Sequence, residues 1–162
     1  MNQTNAAIVP DSGVCSLLMV SSPAFSEGGM LPAKYTCDGE NVNPRLIIEG
    51  VPEETVTLAL MLTGSCNDQF EWAHWLAWNI SPASTIEENS EFPTEGLNYF
   101  SRHGYEGPCP KSGRHNYCFK VYALDTALSL SSATTKEMLE DALNGHVLAC
   151  GKLSCVYQRP FN

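Results

Sequence analysis

Two segments of the sequence combine histidine with residue types that can hold a small anion. His74 lies in residues 71–75, and His115 lies in residues 113–117. A loop rich in glycine and proline, residues 104–110, precedes the second segment. Glycine lets backbone N–H groups approach a ligand closely, and proline reduces the entropy lost on binding. Two imidazoles beside such amides predict an anion-binding pocket based on charge-assisted hydrogen bonds.

Other interpretations of these residues remain open on the sequence alone. A histidine in a loop is often only a structural hydrogen-bonding group. Cys66 or Cys109 could act with a histidine as the nucleophile of a hydrolase, provided that a thiolate lies within reach of an imidazole. A metal site is a further alternative, although no close histidine pair or usual zinc spacing is present. The four histidines are His74, His103, His115 and His146.

Length and charge limit the classes of protein to consider. A chain of 162 residues has the size of one domain. The formal net charge of −9 argues against binding to nucleic acid or to an acidic membrane surface. The longest apolar run, residues 58–62, is too short to cross a bilayer. No secretory signal is apparent, so we expect a cytoplasmic protein without a transmembrane segment.

The seven cysteines are consistent with that compartment if they are free thiols. Their odd number leaves at least one thiol unpaired in any intramolecular scheme. No C-x-x-C motif is present. The sequence therefore predicts buried or incidental thiols, and neither a metal site nor a cofactor.

Hydrophobic patterning predicts a fold dominated by strands. The first residues, 1–18, are polar and lack periodicity, so they are expected to form a flexible arm before a single domain over residues 19–162. The clearest buried strand covers residues 56–63. The other expected extended segments cover residues 19–25, 34–37, 46–49, 73–80, 117–124 and 154–159.

One helix is expected late in the chain. Thr134 and Glu137 fit a capping box, and Asn144-Gly145 is a stop signal. Between them, four apolar side chains are expected on one face: Met138, Leu139, Ala142 and Leu143. A turn or second short helix is expected over residues 146–150.

The order of several motifs resembles the phosphatidylethanolamine-binding protein family, in particular its short bacterial branch of Raf kinase inhibitory protein homologues. The similarity extends over about residues 20–159. The motifs that carry it are residues 35–44 (YTCDGENVNP), 71–75 (EWAHW), 104–110 (GYEGPCP), 115–117 (HNY), 122–125 (YALD) and 145–149 (GHVLA). The resemblance implies a mainly β fold, an antiparallel β-sandwich with a few peripheral helices, and a small anion pocket.

The resemblance also implies roles for individual residues of this chain. His74 and His115 would donate hydrogen bonds to the anion. Trp72 and Tyr117 would form walls of the pocket. The backbone of residues 107–110 would form its rim, which includes Gly107, Pro108 and Pro110.

One motif of the family is altered in this chain. Members usually carry Asp-Pro-Asp-x-Pro before the first histidine, whereas this chain has Thr63 and Ser65 where both carboxylates are expected, unless a gap in the alignment brings Asp68 into partial compensation. These hydroxyl side chains carry no charge to attract an ammonium group. We expect phosphate binding without preference for ethanolamine, histidines that titrate near pH 6.5, and anion affinity that weakens from about pH 5.5 to 7.5.

The sequence thus predicts a non-enzymatic protein that binds phosphate or a phosphorylated ligand. A regulatory role is one form that this function could take. The main alternative is an inhibitor of a protein kinase or serine protease, because the family includes such inhibitors. An exposed apolar rim would favour that function, and Phe70, Trp72 and Phe100 are its candidates. The bacterial relatives imply a homodimer.

Overall fold

The fold consists of β-strands with one α-helix near the C-terminal end. The computed structural model describes residues 16–67 and 70–160, with the side chains of residues 65–67 and 70 excepted. Nine strands occur in these ranges: β1 (Ser16–Leu17), β2 (Met19–Ser21), β3 (Gly29–Met30), β4 (Leu46–Glu49), β5 (Thr57–Asn67), β6 (Phe70–Ile80), β7 (Thr85–Ile86), β8 (His115–Leu124) and β9 (Val147–Tyr157). A 3-10 helix covers Ala33–Tyr35, and α1 covers Lys136–Leu143.

The strands form two sheets that pack face to face. The larger sheet has the order β1-β9-β8-β5-β6, and β3 also pairs with β9. The long strands β5, β6, β8 and β9 are antiparallel, whereas β1 and β3 lie parallel to β9. The smaller sheet has the order β2-β4-β7. The mainly β sandwich expected from the resemblance is therefore present.

Alternation along β5 assigns its side chains to two hydrophobic clusters. Leu58, Leu60 and Leu62 belong to the cluster between the two sheets. Ala59 and Met61 belong to the cluster on the opposite face, beneath α1. Because successive side chains of a strand point to opposite faces, every even-numbered residue here lies on the inner side of the sandwich. This parity continues toward the site described below.

Helix α1 begins one residue later than predicted. Thr135 is the N-cap, and its side chain accepts a hydrogen bond from the backbone N–H of Met138. Leu139 and Leu143 are buried, whereas the Met138 side chain is 46% exposed. The buried face of the helix is thus narrower than the sequence predicted. The helix ends where the stop signal predicted, with Asn144 as its C-cap.

Three other expectations differ from the structure. Of residues 146–150, expected as a turn or helix, only residue 146 lies in a turn, and residues 147–150 begin the long strand β9. Residues 34–37, expected to be extended, overlap the 3-10 helix, which the Thr36 hydroxyl stabilises by donating to the carbonyl of Ala33. Residues 16–18, assigned to the flexible arm, enter the larger sheet, and Leu18 is buried. The rest of the expected arm lies outside the described residues.

The cysteines are not all free thiols, contrary to the prediction. Cys37 and Cys109 form a disulfide across 72 residues of sequence. Of the other cysteines whose side chains the structure describes, Cys118, Cys150 and Cys155 are not part of a disulfide. Burial raises the pKa of the Cys155 thiol to about 12, so this side chain behaves as a small hydrophobic group. As for membrane segments, neither helix of the described ranges has the length and apolar character that crossing a bilayer requires.

Candidate functional site

The larger sheet borders a hollow that contains both histidines of the predicted pocket. Its volume is about 500 Å³. The hollow lies where β5, β6 and β8 meet the loops at residues 99–100 and 109–112. Its lining residues are Gly64, Trp72, His74, Tyr99, Phe100, Cys109, Pro110, Lys111, Ser112, His115 and Tyr117.

A β-bulge in β6 positions His74. In the pairing with β5, Leu62 is opposite Trp75 and Thr63 is opposite Ala73, so His74 is the extra residue between them. A bulge of this kind re-aims a side chain and is common beside functional sites. As a result, Trp75 packs in the core between the sheets, while the neighbouring His74 borders the hollow.

The hydrogen bond of His74 fixes which ring nitrogen is available to a ligand. Its Nδ1 lies 2.9 Å from the backbone carbonyl oxygen of Glu106, and a carbonyl oxygen can only accept. Nδ1 therefore carries the proton, and Nε2 is an acceptor while the ring is neutral. The residue as a whole is 7% exposed. Burial lowers the pKa of His74 below its ordinary value of 6.5, although the Glu106 carbonyl and carboxylate act in the opposite direction. The expectation that His74 titrates near 6.5 is therefore wrong.

His115 has a similar arrangement. Its Nε2 donates to the backbone carbonyl of Ser112 at 2.8 Å, and the side chain is half-buried at the start of β8. Its Nδ1 is therefore the acceptor in the neutral ring. Both histidines thus have one nitrogen committed to the backbone. The other nitrogen becomes a donor to an anion only when the imidazole is protonated.

Four of the eleven residues that line the hollow are tryptophan, tyrosine or phenylalanine. The ring of Tyr117 lies edge-on to that of His74, with 5.5 Å between centroids. At the mouth, Tyr99 contacts Trp72 at 4.3 Å and Phe100 at 5.3 Å between ring centroids. Tyr99 is 54% exposed and Phe100 is 40% exposed. The hollow therefore combines a polar base with an exposed aromatic rim.

Asn98 fixes the loop that carries this rim. Its Oδ1 accepts from the backbone N–H groups of Phe100 and Arg102, at 2.9 and 3.2 Å. Its Nδ2 donates to the carbonyl of Gly104 at 3.1 Å. The backbone N–H of Tyr99 also donates to the carbonyl of Ala73 in β6, at 2.7 Å. These bonds place Tyr99 and Phe100 beside the strand that carries the histidine. Sequence analysis missed Tyr99, and two adjacent aromatic residues in a loop were its only signal.

The described lining residues include no carboxylate. Lys111 is the one ammonium group among them, and it forms no ion pair with any other described residue. Gly64 lies directly beside the two rings. A Cβ added at this glycine would lie 3.2 Å from Nε2 of His74 and 2.6 Å from the Tyr117 ring. Among the described lining residues, the one permanent charge is therefore positive, while the Glu106 carboxylate acts on His74 from outside the hollow.

Three predicted site residues are placed away from the hollow, and the side chain of a fourth is not described. Thr63 is buried and lines a separate groove, whereas Gly64, the next residue of β5, borders both that groove and the hollow. Gly107 and Pro108 are buried and do not line the hollow. An added Cβ at Gly107 would lie 2.2 Å from the carbonyl oxygen of Tyr35, so this glycine permits close backbone packing. The side chain of Ser65 lies outside the described residues. The lining residues do include His74, His115, Trp72, Tyr117 and Pro110.

The structure also bears on the two alternative kinds of site, a cysteine nucleophile and a metal site. Cys109 is in a disulfide and has no thiol to act as a nucleophile, and the Cys66 side chain lies outside the described residues. Within the described ranges, no three residues of the His, Cys, Asp and Glu types are arranged to hold a metal ion. His103 bonds to the carbonyl of Ser132, and His146 bonds to Asp125, both away from the hollow.

Comparisons with known proteins agree with this architecture. Residues 21–158 match the family described as phosphatidylethanolamine-binding protein. A UPF0098 protein of Methanothermobacter thermautotrophicus is 43% identical over 144 residues, which cover 84% of this chain and 95% of that protein. A UPF0098 protein of Archaeoglobus fulgidus is 40% identical over 162 residues; the match covers 95% of this chain but only 55% of that protein.

Two solved structures share the fold. The crystal structure of a phosphatidylethanolamine-binding protein homolog from Chlamydia trachomatis matches with a TM-score of 0.82 and 35% identity. E. coli YbcL, described as a new member of the mammalian family, matches with a TM-score of 0.79 and 27% identity. Each match covers 89% of this chain and 99% of the other. By sequence and by fold, the chain belongs to the phosphatidylethanolamine-binding protein family.

Proposed function

We propose that this protein binds a phosphate group, free or attached to a larger ligand, in the hollow between His74 and His115, and that it is not an enzyme. The observation that carries the proposal is that both imidazoles border one hollow and each has a ring nitrogen without a backbone partner. Once protonated, the two nitrogens can donate to one anion. Lys111 supplies a further positive charge at the wall.

The expected strength of binding follows from the number of donors. A hydrogen bond to a charged group contributes about 1.5–3 kcal/mol. Two imidazolium donors would therefore hold phosphate weakly, and the aromatic walls would add affinity for an apolar group attached to it. Since the described lining has no carboxylate, we also propose that an ethanolamine ammonium adds no affinity.

Substituting glutamine for either pocket histidine should weaken phosphate binding. In His74→Gln and in His115→Gln, the expected loss is at least about tenfold at pH 5.5, because each variant lacks one imidazolium donor. Isothermal titration calorimetry with inorganic phosphate measures this loss directly. The same titration with phosphoethanolamine should give an affinity within about threefold of that for phosphate, on the argument that no carboxylate meets the ammonium.

The other two histidines provide matched controls. His103→Gln and His146→Gln change the same side-chain type outside the hollow, so phosphate affinity should stay within about twofold. If all four variants bind equally well, phosphate is not held by His74 and His115. A marked preference for phosphoethanolamine would contradict the proposed specificity.

Anion affinity should rise as the pH falls. Because the neutral rings present acceptors, binding requires protonation, and the lowered pKa of His74 places its contribution below pH 6.5. We expect about a tenfold gain in affinity between pH 7.5 and 5.5, and a further gain below that range. Sulfate is the suitable probe since its charge is constant across these pH values. In His74→Gln the gain should be smaller. A flat profile for the native chain would show that protonated histidines are not the donors.

A protein partner is the second candidate ligand, and the exposed rim is the observation that favours it. Tyr99 and Phe100 could contact the surface of a protein that presents a phosphorylated side chain. Inhibition of a kinase or a serine protease would follow from such a contact. Recovery of a partner by the native chain but not by His115→Gln would favour this function over the binding of a metabolite.

The cellular setting of the protein remains a prediction. The sequence favours the cytoplasm, whereas a disulfide is more common in oxidising compartments. The homodimer implied by the family resemblance is also a prediction, and sedimentation measures it.

A further inference from the structure

The wall of the hollow formed by residues 109–114 has few attachments to the rest of the domain. Cys109, Lys111 and Ser112 line the hollow and are exposed, whereas Pro110 is buried. Among the described residues, no backbone hydrogen bond connects this segment to another part of the chain. Two specific attachments of this segment within the described part of the chain are the disulfide from Cys109 to Cys37 and the hydrogen bond from His115 to the carbonyl of Ser112.

The residues just before this segment are fixed independently of the disulfide. The Tyr105 hydroxyl donates to the carbonyl of Tyr35 at 2.7 Å. The backbone N–H of Gly107 donates to Oδ1 of Asn41 at 2.8 Å. The backbone N–H of Cys37 donates to the carbonyl of Pro108 at 3.2 Å. These bonds are independent of the disulfide and can hold the two chain segments together when it is broken. The structural effect of reduction is therefore expected at residues 109–114 and not before them.

The disulfide is also open to attack from solvent on one side. Cys109 is exposed, and Cys37 is half-buried. A thiolate must reach a sulfur atom to exchange with a disulfide, and Cys109 is the more exposed of the two residues. The same residue lines the hollow.

We propose that the Cys37–Cys109 disulfide is a site of thiol–disulfide exchange that controls the hollow. Reduction by a dithiol releases residues 109–114 and weakens phosphate binding, while the β-sandwich stays folded. The expected effect of reduction on phosphate binding rests on the proposed function. The expected release of residues 109–114 rests only on how this segment is attached.

The exchange is chemically complete with a dithiol as the co-reactant. One thiolate of the dithiol attacks the sulfur of Cys109, the bond between the protein sulfurs breaks, and Cys37 leaves as a thiolate and takes a proton. The second thiol of the reductant then attacks the mixed disulfide and releases Cys109. The protein disulfide gains two electrons and two protons, and the dithiol becomes a cyclic disulfide.

Trypsin provides a measure of the wall that needs no ligand. Lys111 and Arg114 are the cleavage sites within the segment, and Arg102 lies in the separate loop fixed by Asn98. After reduction with dithiothreitol, cleavage after Lys111 and Arg114 should become about tenfold faster, because local opening controls proteolysis of folded proteins. Cleavage after Arg102, followed in the same mass spectra, should change by less than about twofold.

Calorimetry with inorganic phosphate measures the effect on the hollow. Reduction should weaken the affinity of the native chain about fivefold or more, because a released wall must be ordered again on binding. The double variant Cys37→Ser/Cys109→Ser should bind like the reduced protein and should not respond to dithiothreitol. Cys118→Ser, which removes a free thiol elsewhere, should respond as the native chain does.

Each other result has a definite meaning. Unchanged cleavage after Lys111 and Arg114 would overturn the release of the wall. Faster cleavage with unchanged phosphate affinity would overturn control of the hollow. Loss of the near-ultraviolet circular dichroism signal on reduction would also overturn the proposal, since the disulfide would then hold the whole fold. If the oxidised protein binds no phosphate, the proposed function fails, and the cleavage rates still decide whether the wall is released.

Discussion

Replacing Cys37 and Cys109 together with serine is expected to lower the free energy of unfolding by about 4 kcal/mol, because a cross-link over so long a loop strongly restricts the unfolded chain. The two residues are 72 positions apart. For a domain of this size, the loss corresponds to a melting temperature lower by roughly 10 °C. Thermal denaturation of the double variant and of the oxidised native chain measures the difference.

The reduced native chain is the control for this experiment. It lacks the same cross-link but keeps the cysteine side chains, so its melting temperature should lie close to that of the double variant. A melting temperature near that of the oxidised protein would mean that the unfolded chain is already compact around these residues. In that case the disulfide would contribute little to stability.

Substituting alanine for Gly107 should cost about 3 kcal/mol of stability, near the upper end of the usual range for overpacking. The added Cβ would lie 2.2 Å from the carbonyl oxygen of Tyr35 and 2.8 Å from Oδ1 of Asn41. The first contact is with backbone, which cannot rotate away as a side chain can. The 107–108 segment would have to move from the 3-10 helix, and the hydrogen bond from Gly107 to Asn41 would be lost. Chemical denaturation gives the change directly.

Gly113 offers a comparison for that variant. An added Cβ there would meet nothing within 4 Å, but the residue has a φ of +80°. Gly113→Ala should therefore cost only about 1 kcal/mol, which reflects backbone conformation and not crowding. Equal losses in the two variants would indicate that crowding at Gly107 is relieved by small movements of the loop.

Three of the long strands could be predicted from the sequence because most of their residues are apolar. The predicted ranges 73–80 and 117–124 fall within β6 and β8, and the range 56–63 begins one residue before β5. In each case the observed strand extends further toward the hollow, where the residues become polar or aromatic. Backbone pairing continues in these extensions, but their hydropathy pattern does not show that they belong to a strand. The ends of the strands that form the site are therefore the parts that a pattern cannot locate.

The last long strand could not be predicted for a different reason. Gly151 lies in the middle of β9, and glycine usually interrupts a strand. An added Cβ at this position would lie 2.2 Å from the carbonyl oxygen of Leu18. The glycine thus allows the N-terminal chain to pass close to the strand. That contact joins residues far apart in sequence, and local patterning carries no information about it.

The candidate site was partly accessible to sequence reasoning. The family resemblance named His74, His115, Trp72 and Tyr117, which the structure places around one hollow. Counting alternate residues from Leu62 would have placed Gly64, and not Thr63, beside them. The residues fixed by Asn98 had no such pattern, because a loop held by side-chain hydrogen bonds has no period.

The bulge at His74 has a consequence for how this strand can change over evolution. Trp72 and Trp75 are three positions apart, a spacing that puts two side chains on opposite faces of a regular strand, yet both lie on the inner side of the sandwich. The surplus residue makes this possible. Gain or loss of one residue between them would exchange inside for outside in one half of the strand. In this stretch, substitutions should therefore be tolerated more readily than insertions or deletions.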